Sequence, residues 1–345
     1  MEGEPASAKD RHLLNRAPHL VLDGAEVVAE VVGASRIVVC LPDHADRSAA
    51  SLGTAIGERS RAGSHRPVSV ERPPGGYVTG EESALVGWLE RGRALPSLRV
   101  DKSVPLTLAR RPVLLHNTET LAQVALIARH GPSWFREAGT PDAPGTTLVT
   151  VSGAVRSPGV VEVELGTPVQ EIVAWAGGGE DLSAVLIGGY GGAWLDRSRL
   201  DTPYAPAPLA GAGAAPGAGI VIALPATACG IAETARVARY MAGESAGQCG
   251  PCVFGLPALA GDLEALADGR ADAGVLGRIT GRADQIDGRG ACRHPDGVVR
   301  LVRSALTVFG ADAVDHALGR PCPGRGAATW LTFPRGPEGR TGGAS

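Results

Sequence analysis

Apolar residues follow three successive rhythms along this chain. Up to about Arg136, short strand-like runs alternate with helical patterns. Leu20 to Val32 carries apolar positions suited to a helix, and Ile37-Val38-Val39-Cys40-Leu41, closed by Pro42, reads as a buried strand of the parallel type. Thr79 and Glu82 have the spacing of a capping box, opening a helix through Leu85, Val86 and Leu89. Asn117 to Ala128 has helical spacing as well, and the alternation predicts an α/β domain. From about Thr146 the period shortens to two. Thr147 to Gly153 reads as a strand, Ser157-Pro158-Gly159 as a turn and Val160 to Val163 as a second strand. Pro168 opens a short helix, Val169 to Ala176, which stops at Gly177 to Gly179. With Gly219 to Leu224 as its last strand, this stretch predicts a small β-grasp-like module. The final third is helical: Ala232 to Met241, then Val253, Leu256, Leu259, Leu263 and Leu266, then Asp272 to Ile286 and Val298 to Leu318. Four short helices predict a bundle. The tail from Pro334, rich in Gly, Pro and Arg, reads as disordered.

Composition narrows the classes. A chain of 345 residues that is 44% hydrophobic can bury a core and form two or three domains. Its 49 glycines and 26 prolines demand many turns. With 20% charged residues and a net charge of −3, it is neither a wholly disordered chain nor one that binds nucleic acid or anionic lipid through bulk charge. No apolar run approaches the roughly 20 residues that span a bilayer. The first residues, MEGEPASAKDR, lack the apolar stretch of a secretory signal. The expectation is a cytoplasmic protein with no nucleic-acid partner and no direct membrane insertion. Its eight histidines form no HExxH pattern, no G-x-S-x-G elbow occurs, and Gly211 to Gly217 reads as a surface loop without dinucleotide-binding spacing.

The cysteines carry the sharpest chemistry. Six of them, Cys40, Cys229, Cys249, Cys252, Cys292 and Cys322, are too sparse for a disulfide scaffold. Cys40 ends an apolar run and reads as a small buried hydrophobe. Cys249 and Cys252 sit in GESAGQCGPC, with Cys292 forty residues further on. Two thiols in a glycine-rich turn between helices suit an iron–sulfur cluster, because thiolates are its ligands and glycine lets backbone N–H groups approach sulfur. Two other readings stand beside it: incidental thiols, or a zinc site completed by Cys229 or Cys322.

The motif resembles the iron–sulfur region of the NADH-binding flavoprotein subunit of respiratory complex I, a module shared with NAD-linked hydrogenases and formate dehydrogenases. That family reads Glu-Ser-Cys-Gly-x-Cys-x-Pro-Cys, with a fourth cysteine about one helix pair later. Glu244, Ser245, Gly247, Cys249, Pro251 and Cys252 match, Cys292 falls at the fourth position, and Ala246 stands where the family has its first cysteine. Ser245, Cys229, Cys322 and His294 are the candidate substitutes for the missing ligand. Three further stretches extend the resemblance: EGEPASAKDRHLLNRAPHLVLDG, then TGEESALVGWLERGRALP with HNTETLAQV, then VSGAVRSPGVVEVELG.

The resemblance implies a fold of α/β plus α type. Residues 1–136 would form a partial α/β flavin domain, 137–225 a β-grasp, soluble-ligand-binding domain, 226–325 a helical iron–sulfur bundle, and 326–345 a disordered tail. It further implies electron transfer from NADH via FMN to a 4Fe–4S cluster on Cys249, Cys252 and Cys292, with a ferredoxin-like or other redox protein as partner. Glu2, Glu4, Glu81, Glu82 and Asn117 correspond to residues around the family's FMN and NADH pocket. The residues by themselves also allow plainer roles, a helix cap for Glu81 and Glu82 and a solvated chain end for Glu2 and Glu4. The family's glycine-rich flavin cradle, Gly-Arg-Gly-Gly-Ala-Gly-Phe, lies upstream of EGEP, and Met1 falls inside that motif. The alternative function is a non-catalytic scaffold, stabilised by iron–sulfur or zinc, that has lost flavin chemistry.

Overall fold

A computed structural model describes residues 2–334 except 64–65, 99–102, 180, 321, 323, 325 and 327. The first part of the chain wraps helices around a short parallel strand pair. It runs α1 (Lys9–Arg16), α2 (Pro18–Val31), β1 (Ile37–Cys40), α3 (Asp46–Arg61), β2 (Val68–Glu71) and α4 (Glu82–Arg91). A two-residue hairpin, β3 (Thr107–Leu108) and β4 (Arg111–Pro112), leads to α5 (Thr118–His130) and α6 (Pro132–Phe135). β1 and β2 pair in parallel, Ile37 opposite Val68, with α3 as the crossover. Leu14, Val21, Leu22, Leu52, Ala55 and Ala122 close the small core between these helices. Gly24 is what allows α2 and α5 to touch: a Cβ there would lie 1.8 Å from the Leu121 carbonyl oxygen.

A five-stranded sheet occupies the middle, built from β5 (Thr146–Gly153), β6 (Gly159–Glu164), β7 (Leu182–Ile187), β8 (Ala193–Asp196) and β9 (Ile220–Pro225) in the order β6-β5-β9-β7-β8. β9 lies at the centre, parallel to β5 with Thr150 opposite Ile220, and antiparallel to β7. α7 (Val169–Trp175) and α8 (Pro206–Gly211) belong to the same stretch, and Val169, Ile172, Val185, Ile187, Leu209 and Val221 share one core. The alternate residues Ala184, Leu186, Trp194, Ile220, Ile222 and Leu224 belong to another, shared with the C-terminal helices. Burial on both faces explains why β9 reads as the unbroken apolar run IVIALP.

The C-terminal helices are α9 (Gly230–Gly243), α10 (Leu256–Ala267), α11 (Val275–Ile286), α12 (His294–Val308) and α13 (Gly310–Ala317). The single helix expected over Val298 to Leu318 is two, interrupted at Phe309. That ring packs edge-on against Trp194 at 5.3 Å and over Gly230, so the chain turns to deliver it. The expectation of a loose tail from residue 326 also needs correction. The Glu233 carboxylate accepts hydrogen bonds from Trp330 N (2.9 Å) and Leu331 N (3.3 Å), Arg236 donates to Leu331 O, and Leu331 is buried. Residues 335–345 lie outside the described residues. Gly211 to Gly217 is likewise more than a surface loop, because Gly217 lies so close to Gly188 that a Cβ would come within 2.3 Å of its carbonyl oxygen.

A buried ion cluster joins the first part to the sheet. Lys9 Nζ donates to Asp10 Oδ1 (2.8 Å) and Asn117 Oδ1 (2.9 Å) and lies 3.1 Å from Glu119 Oε2. Glu119 Oε1 in turn accepts from Leu148 N and the Thr147 hydroxyl of β5. Replacing Lys9 by Met leaves two carboxylates buried without their cation, which is expected to lower stability by about 3–5 kcal/mol in urea denaturation. A loss below about 1 kcal/mol would show that the cluster is solvated and dispensable.

Candidate functional site

The three cysteines of the motif region are brought together by helix starts. Cys249 ends the turn after α9, where Gly247 takes the left-handed conformation (φ +64°). Cys252 lies in a π-helical turn, Pro251–Gly255, that leads into α10, and Cys292 lies next to Arg293, the N-cap of α12. Helix N-termini favour negative charge, so two of the three positions suit thiolates. Backbone N–H groups favour each thiolate electrostatically: those of Ala291 and Cys252 at Cys249, that of Gly247 at Cys252 and that of His294 at Cys292. Partial burial works against ionising Cys249, but the N–H donors and Cys252 outweigh it and hold its thiol below the ordinary value. Burial pushes Cys252 up to about 12 and raises Cys292 as well.

This donor set fits an iron–sulfur cluster better than a single ion. One tetrahedral zinc draws its sulfurs to about 2.3 Å from a common point. Among the described residues, the group whose ligand atoms all lie within 4.8 Å of one another is Cys229, His316 and Cys322, not the three cysteines of the motif. A cluster spaces its thiolates by binding each to a different iron. The zinc reading completed by Cys229 or Cys322 is therefore corrected. Cys229 caps the start of α9 and Cys249 follows its end, so about 20 Å of helix separates them. Ala246 offers no ligand. Ser245 is half-buried, and His294 is buried with Nε2 on Met241 O (2.8 Å), while its Nδ1 finds no hydrogen-bond partner among the described residues. Burial lowers the His294 pKa, which keeps the ring neutral. A cavity of about 690 Å³ opens beside Cys249, with Arg91, Arg93 and Arg289 in its wall.

The carboxylates expected around a flavin fall in two places. Glu2 and Glu4 are not a solvated chain end. Glu4 is buried, and its Oε2 accepts from Tyr190 N at 2.8 Å in the β7–β8 turn. Glu2 accepts from Glu4 N and lies within electrostatic reach of Asp10 and Lys9. Glu81, rather than Thr79, caps α4, its Oε2 accepting from Ala84 N at 2.9 Å; Thr79 belongs to the preceding 3-10 turn. Glu82 is exposed in the first turn of that helix. Glu81 reaches Cys292 electrostatically. Asn117 caps α5 and spends its amide on Lys9, Glu119 N and Asp10. Tyr77, which the sequence did not single out, links these places. Its N–H donates to Glu244 Oε2 (2.8 Å), its hydroxyl interacts with Glu4, and its ring meets His294 edge-on at 5.4 Å.

Burial raises the Glu4 carboxyl to about 7, against donors from Tyr190 and Ala6 that favour its charge. The unfolded chain ionises near 4.5, so between about 4.5 and 7 the folded state holds the extra proton and stability falls as pH rises. Glu4→Gln should match the parent in urea titrations near pH 4 and exceed it above pH 7, by up to about 3 kcal/mol. Parallel pH profiles for the two proteins would refute a proton on Glu4.

Comparison with known proteins finds matches to three family models along the chain. The family model described as the Nuo51 FMN-binding domain matches residues 1–126. That of the SLBB domain matches 148–189, and that of the NADH-ubiquinone oxidoreductase-F iron–sulfur binding region matches 232–316. The NADH-quinone oxidoreductase F 2 subunit of Rhizobium meliloti is 31% identical over 336 residues, covering 93% of this chain and 80% of the relative. The corresponding F subunit of Streptomyces coelicolor is 29% identical, over 93% of this chain and 75% of its own. An NAD+-reducing [NiFe]-hydrogenase in its H2-reduced state superposes with a TM-score of 0.84 at 29% identity, covering 91% of this chain. The chain spans about half of that hydrogenase chain, 55% of its length. Shared sequence over nearly the whole chain, with a matching fold, places this protein in the family of NADH-quinone oxidoreductase F subunits.

Proposed function

We propose that this chain is an electron-transfer subunit that takes electrons from NADH via FMN and passes them to an iron–sulfur cluster on Cys249, Cys252 and Cys292. The observation that carries the reading is the meeting of these three thiols near two helix starts, within electrostatic reach of one another and of backbone N–H groups. A bound flavin supplies two-electron acceptance with one-electron release, and a cluster supplies one-electron storage. The chain's own residues prepare the place for both. N–H donors at sulfur favour the more negative state of a cluster. Glu2, Glu4 and Glu81 offer acceptors for sugar or ribityl hydroxyls, Glu82 lies beside them in sequence, and Asn117 fixes the wall through Lys9. A phosphate needs N–H donors or cations; the four carboxylates supply neither, and the Asn117 amide already donates to Asp10. The Glu4 carboxyl, near 7, can hold or release a proton at physiological pH.

On this reading the domains are 1–136 for flavin and nucleotide, 137–225 for the β-grasp module and 226–325 for the cluster. A ferredoxin-like or other redox protein is the partner. The arginine-walled cavity at Cys249 and the exposed Val253 and Phe254 beside Cys252 offer it a basic and apolar surface. Among the described residues no helix is long and apolar enough to cross a membrane. The reading further holds that the subunit works in the cytoplasm.

The test is iron, acid-labile sulfide and flavin analysis of anaerobically purified protein, with EPR before and after NADH. Iron with matching sulfide, reduced by NADH, is expected. Cys249→Ala should lose most of the iron, and Ala246→Cys should raise iron per chain by restoring a fourth thiolate. Iron unchanged in Cys249→Ala defeats the ligand assignment. A cluster that only dithionite reduces favours the scaffold alternative.

A further inference from the structure

At the far end of α9 from Cys249 lies a second group of donors that the electron path does not use. Cys229 caps that helix, its Sγ accepting from Ala232 N at 3.3 Å. His316, in the last turn of α13, brings Nε2 to 3.5 Å from Cys229 Sγ, while its Nδ1 lies 3.1 Å from Leu266 O. Cys322 completes the group. The ligand atoms of all three lie within 4.8 Å of one another and all three residues are buried. Gly324, two residues on, leaves no room for a side chain, since a Cβ would fall 2.3 Å from Cys229 N. The segment carrying Cys322 therefore lies directly on the start of α9.

We propose that Cys229, His316 and Cys322 bind a zinc ion, separate from the iron–sulfur site, that fastens the C-terminal segment to the helical domain. Two thiolates and an imidazole are a zinc donor set, and water can fill the fourth position. The Leu266 carbonyl accepts a hydrogen bond from Nδ1–H, which in the neutral ring leaves the Nε2 lone pair facing the two sulfurs. Burial, together with the neighbouring Cys322 thiol, pushes the Cys229 thiol up to about 12, so a free thiol there stays protonated, whereas a bound cation reverses that preference. Binding one Zn2+ displaces two thiol protons to solvent and leaves the imidazole neutral. The ligands come from the start of α9, from α13 and from the segment beyond it, so the ion acts as a cross-link between parts of the chain that are 87 residues apart in sequence. Glu233, one turn into α9, continues the same junction by holding Trp330 N and Leu331 N.

Elemental analysis of the full chain, purified anaerobically, loaded with zinc sulfate and dialysed against EDTA, tests this directly. One zinc per chain is expected. Cys322→Ser should retain at least tenfold less zinc with its iron content unchanged, and Cys249→Ala should do the reverse, which separates this site from the electron path. If the variants do not fold, cobalt loading of the unaltered chain gives the same answer through thiolate-to-cobalt charge-transfer absorption, which must persist with iron bound. Absence of retained zinc, loss of zinc in Cys249→Ala instead of Cys322→Ser, or a Cys229–Cys322 disulfide in peptide mass spectra of the anaerobic protein would each overturn the proposal.

Discussion

The ammonium group of Lys9, sealed between the first helices and the sheet, sets the geometry of everything before it in sequence. Burial alone would lower its pKa, but Asp10 and Glu119 more than offset that and raise it, so the cation is held firmly. Its aliphatic stem lies against Gly219, where a Cβ would come within 2.9 Å of Lys9 Cδ. Around it, Ala8 N donates to the Thr150 hydroxyl and the Ser7 hydroxyl to Ala218 O. The N-terminal segment is thus stapled across β5 and the start of β9, which is how Glu4 comes to meet Tyr190, 186 residues away in sequence. An isolated ion pair at a surface would give no such fixed geometry. A buried one, with its lone pairs used, does.

α9 then acts as a strut between two sulfur-rich ends. One end carries the turn of Cys249 and Cys252, and the other carries Cys229 with His316 and Cys322. The helix also supplies Thr234, whose hydroxyl receives the Trp194 indole N–H at 3.0 Å, and Glu233, which binds the C-terminal segment. The second face of the sheet is therefore the floor of the cluster-bearing helices. Displacement of α9 relative to the sheet would break the buried Trp194 hydrogen bond and open the core the two parts share.

Local patterns were legible and distant pairings were not. β5, β6 and β9 could be read because β-branched residues make up half or more of each, and the cysteine motif because six matching residues fall between Glu244 and Cys252. α3 was missed because DRSAASLGTAIGERSR has few large apolar residues and fills its core with Leu52 and Ala55. β7 and β8 were missed because the glycines of Gly188 to Gly192 mask a hairpin between them. Thr79 looked like a cap, yet the 3-10 turn at Val78–Gly80 moves the helix start two residues and gives that role to Glu81. Tyr77 and His316 have no local signature at all. Their roles come from Glu244 and Cys229, which only the tertiary fold brings near.

The position of β9 bears on how the chain is made. It is the last strand of the sheet to be synthesised and fills the slot between β5 and β7, so neither has its inner neighbour until residue 225 has emerged from the ribosome. Until then the β5–β6 and β7–β8 hairpins each present an unpaired apolar edge, the kind of edge that invites pairing with other nascent chains. Folding of the central sheet is in this way tied to translation of its final strand, and a pause before Ile220 would prolong the interval in which those two edges stand open.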